Sequence, residues 1–259
     1  MKVSRWVWAT AILVYAFLYL PLAIVVVFSF NNSALNAEWV GFTFDWYRQL
    51  FHDDIMIEAA GHTLAIGFIT CAVSTVLGTL AGYAMYKYRL RLLPILVLTP
   101  IAIPEILMGV SLLIFFVMLN MTLGLVSITL SHIAFCIGFV AIVVRSRLQG
   151  MDESLVEAAR DLGASPMVAF RRVTMPLIMP GIIAGALMAF TLSIDDFVIS
   201  FFTAGVGSNT LPLEIYSRVK VPVKLNPEVN AVSSLLMLLT LSLILIVSKV
   251  APSALRGSE

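Results

Sequence analysis

A chain of 259 residues that is 60% hydrophobic and 12% charged is not a water-soluble domain, since those carry about 25% charged residues. Its mean hydropathy of +1.00 marks a polytopic membrane protein, and a formal net charge of +1 implies no nucleic-acid partner. Cys71 and Cys136 fall inside apolar stretches with neither a disulfide framework nor a metal spacing, and His52, His62 and His132 show no ligand pattern and read as structural.

The amino terminus places Lys2 and Arg5 before an apolar run from Trp6 to Phe30. The run is too long for the core of a signal peptide and long enough to span a bilayer, which takes roughly 20 residues. It reads as a retained first span, 7–30, bent at Pro21. The next stretch is polar and aromatic. Thr43 is placed to cap a short helix, FDWYRQLF, whose Phe44, Tyr47, Leu50 and Phe51 share a face. That helix reads as lying flat at the interface, a level that indoles such as Trp39 and Trp46 favour. Span two covers 58–86, with Gly67, Ser74, Gly78 and Gly82 as small residues that let another helix approach. A basic turn with Lys87, Arg89 and Arg91 leads to span three, 94–120, where Pro100 and Pro104 are expected to break the helix. Span four, 123–144, follows after a short hairpin.

Asp152 to Pro176 is the longest run that cannot lie in a membrane. It reads as two short helices with a hinge, covering 152–175. Asp152 is placed to cap the first, and Leu155, Val156, Ala159 and Leu162 recur at helical spacing as one apolar stripe. Gly163 suits the left-handed stop, and Ser165-Pro166 is a new start with a capping hydroxyl and a proline at the first position. Met167, Phe170 and Val173 give a second apolar face, which Pro176 is expected to end. Amphipathicity alone names no partner, so docking on the chain's own membrane domain and docking on another protein both stand. Span five covers 176–203, and span six 229–250. The whole of 1–259 reads as a single transmembrane domain, all-α with six spans.

With six spans and both termini inside, the basic residues divide 12 inside to 4 outside. The excess of lysine and arginine puts the 152–176 loop and both ends in the cytoplasm. The outer set is Arg48, Arg218, Lys220 and Lys224; the last three read as a docking face for an outside protein. No G-x-x-x-x-G-K-[ST] occurs, so nothing here cradles a nucleotide phosphate, and no outer segment is large enough to capture a solute.

Three acids lie inside spans: Glu105 in span three, and Asp195 and Asp196 in span five. Acids at helix centres cost about 2.5–3.5 kcal/mol each on insertion scales. The spans show no base to pair with them. Either they face an aqueous path or cation, or they hold spans together by hydrogen bonds. Adjacent residues sit about 100° apart on a helix, so Asp195 and Asp196 do not both point at one ligand. One contacts the cation while the other supports it, or the helix breaks.

The stretch EAARDLGAS, with Glu157-Ala158-Ala159 and Gly163 at a set distance and Pro176 and Leu177 beyond, resembles the EAA loop of inner-membrane permeases of binding-protein-dependent ABC importers. Added to it, FSFNNS (Phe28 to Ser33), GFTFDWY (Gly41 to Tyr47), MAFTLSIDDFVISFF (Met188 to Phe202) and NPEVNA (Asn226 to Ala231) make the chain similar to the PotC-type permeases of spermidine/putrescine importers over nearly its whole length.

The resemblance implies a type I ABC importer permease fold. It implies that the loop couples to a cytoplasmic ATPase dimer through Glu157, Ala158, Ala159, Asp161, Gly163 and Ser165. ATP and magnesium then belong to that ATPase, and this chain binds no cofactor. Further implied partners are a second homologous permease, an extracytoplasmic polyamine-binding protein and membrane lipid. The polyamine path maps onto Glu105, Asp195, Asp196 and Trp46, with Ser193 nearby; the family commonly has aspartate where this chain has Glu105. A polyamine carries several ammonium groups, which suits spaced carboxylates and aromatic faces. Phe197 and Tyr19 are further candidate faces. Two rivals stay open: a permease of the same build for another solute, and an ion-coupled secondary carrier using the same acids.

Overall fold

Long runs of apolar residues in lipid leave backbone groups no partner but one another, so they close into helices. A computed structural model of the chain describes residues 4–33, 38–88, 91–220 and 228–250. Lys2, Arg89, Lys224, Arg256 and the first part of NPEVNA lie outside the described residues, as does the side chain of Lys249. Helices form at α1 (Arg5–Phe28), α2 (Asp45–Leu50), α3 (Asp54–Lys87), α4 (Leu92–Ala102), α5 (Glu105–Met118), α6 (Leu125–Gln149), α7 (Ser154–Asp161), α8 (Pro166–Ala169), α9 (Met175–Ile194), α10 (Val198–Thr203), α11 (Leu211–Lys220) and α12 (Glu228–Val250). Among the described residues four helices are long and apolar enough to cross a membrane, and α4 with α5 makes a fifth span if that bent pair counts as one. The expected sixth span, 229–250, falls on α12 (Glu228–Val250).

The chain divides into two compact units. The first joins Met1–Glu58 to Glu214–Leu241. In it α1 runs through Pro21 without interruption, and the apolar surface of Trp6–Phe28 is not buried by this chain. After α1, FSFNNS and GFTFDWY fold onto each other through one antiparallel bridge, Asn31 to Phe42. The fully buried Asn31 side chain ties the crossing: its Nδ2 donates to the Glu38 carbonyl (2.7 Å) and its Oδ1 accepts from the Val40 amide (2.9 Å). Phe30 stacks on Phe42 at 5.3 Å and meets Phe44 and Tyr47. Thr43 Oγ1 accepts from the Asp45 amide at 3.1 Å just ahead of α2, but the cap position itself falls on Phe44, which makes no side-chain cap bond, so Thr43 is not the cap expected of it.

Arg218, one of the three residues of the expected outer docking face, is engaged within the chain. Its guanidinium is committed to Asp53 (2.6 Å), Glu214 (2.9 Å) and Glu228 (3.0 Å), so it closes a charge cluster within this unit. Hydrogen bonding from Arg218 holds the Asp53 carboxyl below the usual carboxylate range, and Asp53 in turn raises the guanidinium.

The second unit contains Ala59–Leu213 and is built round α6. Phe135, Cys136, Val140, Val144 and Leu148 of α6 form its buried centre with Met108, Ile178, Ala189 and Ile199. Small residues set the approach of the helices. A methyl group at Gly78 would sit 2.6 Å from Val140 Cβ, and one at Gly82 2.7 Å from the Ala141 carbonyl, so α3 lies directly on the α6 backbone. Gly138 meets the Val97 carbonyl of α4 in the same way, and Gly185 lets α9 close on Val140. Cys136 is a packing residue, as expected, and Cys71 is half-buried.

Three expected boundaries change. Span four extends to Gln149, because the stem of Arg147 lies along Gly181 and its Nε reaches the Leu177 carbonyl at 3.2 Å. Long basic side chains cover apolar surface in this manner while the charged end finds polar groups. Span three is bent by 109° between α4 and α5. The break falls at Ile103–Pro104, whereas Pro100 is accommodated inside α4. Pro176 does not end the second loop helix, which runs through a π-helical turn, Phe170–Thr174, into α9 as one segment from Pro166 to Ile194. Proline at 176 gives no N–H to the Arg172 carbonyl and its ring crowds that group. The wider turn just before it, closed by Met175 N–H on the Phe170 carbonyl, relieves the conflict.

Candidate functional site

The acid pair stands in a break of the helix that was expected to carry it. α9 stops at Ile194, the residues 195–197 are non-helical, and α10 starts at Val198. Aspartates compete with the backbone for amide protons and so favour helix starts over interiors. Asp196 does this: its Oδ2 accepts from the Ser200 amide at 2.7 Å and its Oδ1 from the Ile199 amide at 3.3 Å. The same carboxylate meets His132 Nε2 at 3.1 Å, with both side chains at most 5% exposed.

His132, on α6, corrects the expectation that the spans hold no base and that this histidine has no part in the site. Its Nδ1 lies 2.8 Å from Ser193 Oγ, and Ser200 Oγ stands 3.0 Å from Nε2. A carboxylate at Nε2 assigns the proton to that nitrogen, leaving Nδ1 to accept from the Ser193 hydroxyl. The four side chains thus satisfy one another. An intramembrane histidine is itself a functional signal; testing it only for metal-ligand spacing missed it.

Asp195 turns the other way. Its side chain is exposed, and its backbone amide closes α9 on the Thr191 carbonyl at 3.3 Å. It lies within electrostatic reach of Asp196, Glu105 and His132. Glu105, also exposed, is the first residue of α5, immediately after the Pro104 bend. α5 and α10 pack closely, since a methyl group at Gly109 would be 2.7 Å from the Phe202 ring. Glu105 and Asp195 thus each stand exposed at a helix break, on neighbouring elements, with Asp196 and Ser193 on the buried side. Among the described residues no basic side chain is hydrogen-bonded to Asp195 or Glu105. Phe197 is half-buried, its ring 5.6 Å from that of Phe201.

Trp46 and Tyr19 belong to the other unit. The Trp46 indole is half-buried and donates to the Asn31 carbonyl at 2.7 Å. Tyr19 is exposed on α1, 6.2 Å from the Tyr15 ring.

The inner loop forms a second candidate region. Asp152 Oδ1 accepts from the Ser154 amide at 3.0 Å at the start of α7, a bond set that holds its carboxyl below the ordinary range. Gly163, at φ +86°, ends α7 with Ala164 N–H on the Ala159 carbonyl (3.0 Å), a left-handed stop that favours glycine. Ser165 Oγ accepts from the Val168 amide at 3.4 Å. The expected single apolar stripe is divided: Val156 and Ala159 are half-buried, while Leu155 and Leu162 face out, Leu162 at 91% exposure. Met167 is exposed too. Glu157, Asp161, Gly163, Ala164 and Pro166 line an open groove with Arg160, and Ala158 is exposed on α7. Two aromatic residues at the end of α3 hold the loop: the Tyr86 hydroxyl donates to Glu153, and the Tyr83 ring meets Phe170 edge-on at 5.0 Å.

Apolar spans broken at two sites that carry acids, with an exposed amphipathic turn in the loop between spans, fit a membrane transport subunit. Comparison with known proteins makes the class specific: the chain belongs to the family of binding-protein-dependent transport system inner membrane components, whose sequence profile matches residues 74–255. It is 41% identical over 248 residues to the spermidine/putrescine transport system permease protein PotC of Escherichia coli K12, covering 95% of this chain and 93% of that protein. It is 39% identical over 249 residues to the putrescine transport system permease protein PotI of the same strain, covering 92% and 88%. The fold is also that of a bacterial ABC transporter involved in the import of the acidic polysaccharide alginate (TM-score 0.69, 17% identity, 99% of this chain and 100% of that one). The inward-facing MetNI methionine ABC transporter shares it at TM-score 0.64 and 22% identity, over 78% and 96%. The chain is thus an inner-membrane transport permease.

Proposed function

We propose that this chain is one permease subunit of an ATP-driven ABC importer that carries polyamines, spermidine or putrescine, across the cytoplasmic membrane by alternating access. The observation that carries the substrate class is that Glu105 and Asp195 each stand exposed where a helix breaks. Carboxylates within a span are stable when they face water or a cation, and one at each of two breaks suits a flexible chain with spaced ammonium groups. Backbone freed at the breaks is tolerated at membrane depth where it lines a cavity. The transport roles of the two polyamine permeases it resembles agree with a polycation. Asp195 and Glu105 contact the passenger in this reading, Asp196 and Ser193 support the break, and Trp46, Phe197 and Tyr19 offer aromatic faces.

The exposed Leu162 and Met167 beside the groove at Glu157, Asp161 and Gly163 are the surface for a cytoplasmic ATPase dimer, which supplies ATP and magnesium. Tyr83 and Tyr86 pass its movement to α3. A homologous second permease completes the pore, and a soluble receptor delivers substrate from outside. Both termini are cytoplasmic, following the basic residues.

The test is uptake of labelled spermidine by cells lacking other polyamine importers and expressing this chain with its partner subunits. A variant carrying Glu105→Gln and Asp195→Asn is expected to lose uptake while its membrane level holds. Wild-type uptake in that variant overturns the acidic path.

A further inference from the structure

We propose that His132 is a positioning residue for transport: it anchors Asp196 so that the backbone turns at 195–197 and presents Asp195 to the passenger. Asp196 has two tasks in the break. It receives the first amides of α10 from Ile199 and Ser200, and it receives His132 Nε2 across the helix boundary. The first task fixes α10 to the break. The second fixes the break to α6, the most buried helix of this unit. His132 also holds the last turn of α9 through Ser193. One imidazole therefore joins the end of α9, the start of α10 and the core, and of the two residues between those attachments Ile194 is buried and Asp195 is exposed. Without the tie, the break keeps its helix cap but loses its fixed orientation on α6. The part that concerns uptake rests on the polyamine reading; the part that concerns the orientation of residue 195 does not.

The two nitrogens of His132 make the test specific. A glutamine places its amide nitrogen where Nε2 stands and keeps a donor for Asp196. An asparagine places its amide where Nδ1 stands and keeps only the Ser193 contact. His132→Gln and His132→Asn are therefore compared in the complete transporter, first by KM and maximal rate of polyamine uptake. The second readout is the labelling rate of Asp195→Cys by a membrane-impermeant cationic thiol reagent, in a Cys71→Ser background. Cys136 stays, because its thiol is fully buried.

Loss of a hydrogen bond to a charged group is worth about a factor of ten or more. His132→Asn is expected to raise KM by about that factor and to change labelling at 195 by a similar one, with membrane level retained. His132→Gln is expected to keep both within about threefold of wild type. Equal behaviour of the two variants overturns the proposal, whether both resemble wild type or both disappear from the membrane. If labelling separates the variants while Asp195→Asn transports normally, the positioning role stands and the polyamine path fails.

Discussion

Asp195→Asn and Asp196→Asn are neighbouring substitutions of the same chemistry, and the structure expects them to fail differently. Asp196 has a 5%-exposed side chain that accepts from His132 Nε2 and the Ser200 and Ile199 amides. An asparagine keeps one oxygen and turns a nitrogen toward a donor, so at least one bond to a charged acceptor is lost, about 2 kcal/mol. For a chain of this size that corresponds to roughly 4–8 °C in unfolding midpoint. Asp195 is exposed and anchored through its backbone. Its substitution is expected to change stability by less than about 0.5 kcal/mol. The charge it offers a passing ammonium is worth about 1–2 kcal/mol, between an exposed ion pair and a hydrogen bond to a charged group, or roughly 5–30-fold in KM. The assays are a thermal-unfolding curve of the purified transporter and concentration-dependent uptake in vesicles. If Asp196→Asn raised KM at unchanged stability while Asp195→Asn left uptake untouched, the division into anchor and contact would be refuted.

Gly78→Leu puts a Cβ 2.6 Å from Val140 Cβ and 2.9 Å from the Ile137 carbonyl; an overpacking cost of about 1–3 kcal/mol is expected, read as lost membrane-inserted protein, with Gly61→Ala as the neutral control. Gly163→Val forces a β-branched residue to φ +86° at about 1–2 kcal/mol, and is expected to reduce ATPase copurification and uptake together. Tyr86→Phe removes the bond to Glu153; uptake per ATP hydrolysed should fall at unchanged KM, and an unchanged ratio would detach Tyr86 from coupling. Arg218 holds the Asp53 pKa down, so its stabilisation is complete above about pH 4, the unfolded carboxylate value, and is lost as pH falls through the lower folded value. Arg218→Met should abolish that acid-side loss in unfolding curves recorded from about pH 5 to 2.

Helix positions were legible because apolar runs and glycine stops act locally. Gly163 and Ser165-Pro166 do what their residue types dictate. The small residues of span two were readable as contact points, although only the fold shows that Gly78 and Gly82 meet α6. What composition could not give was tertiary compensation. Pro176 signals a stop, but a π turn absorbs it and the helix continues. Arg218 reads as a free outer charge, and its i,i+4 neighbour Glu214 could be seen in the sequence, but Asp53, 165 residues away, could not. His132 and Asp196 are 64 residues apart, and nothing local to either announces the other. The break between α9 and α10 was one of the readings left open for Asp195-Asp196, and the two now have distinct surroundings.

Transport by the purified complex in proteoliposomes bears most directly on what the chain does. With ATP and magnesium enclosed on the coupling-loop side and no ion gradient, labelled polyamine should be taken up, and ionophores should leave the rate unchanged. Uptake that needs an ion gradient, or that ignores ATP, would contradict an ATP-driven polyamine permease.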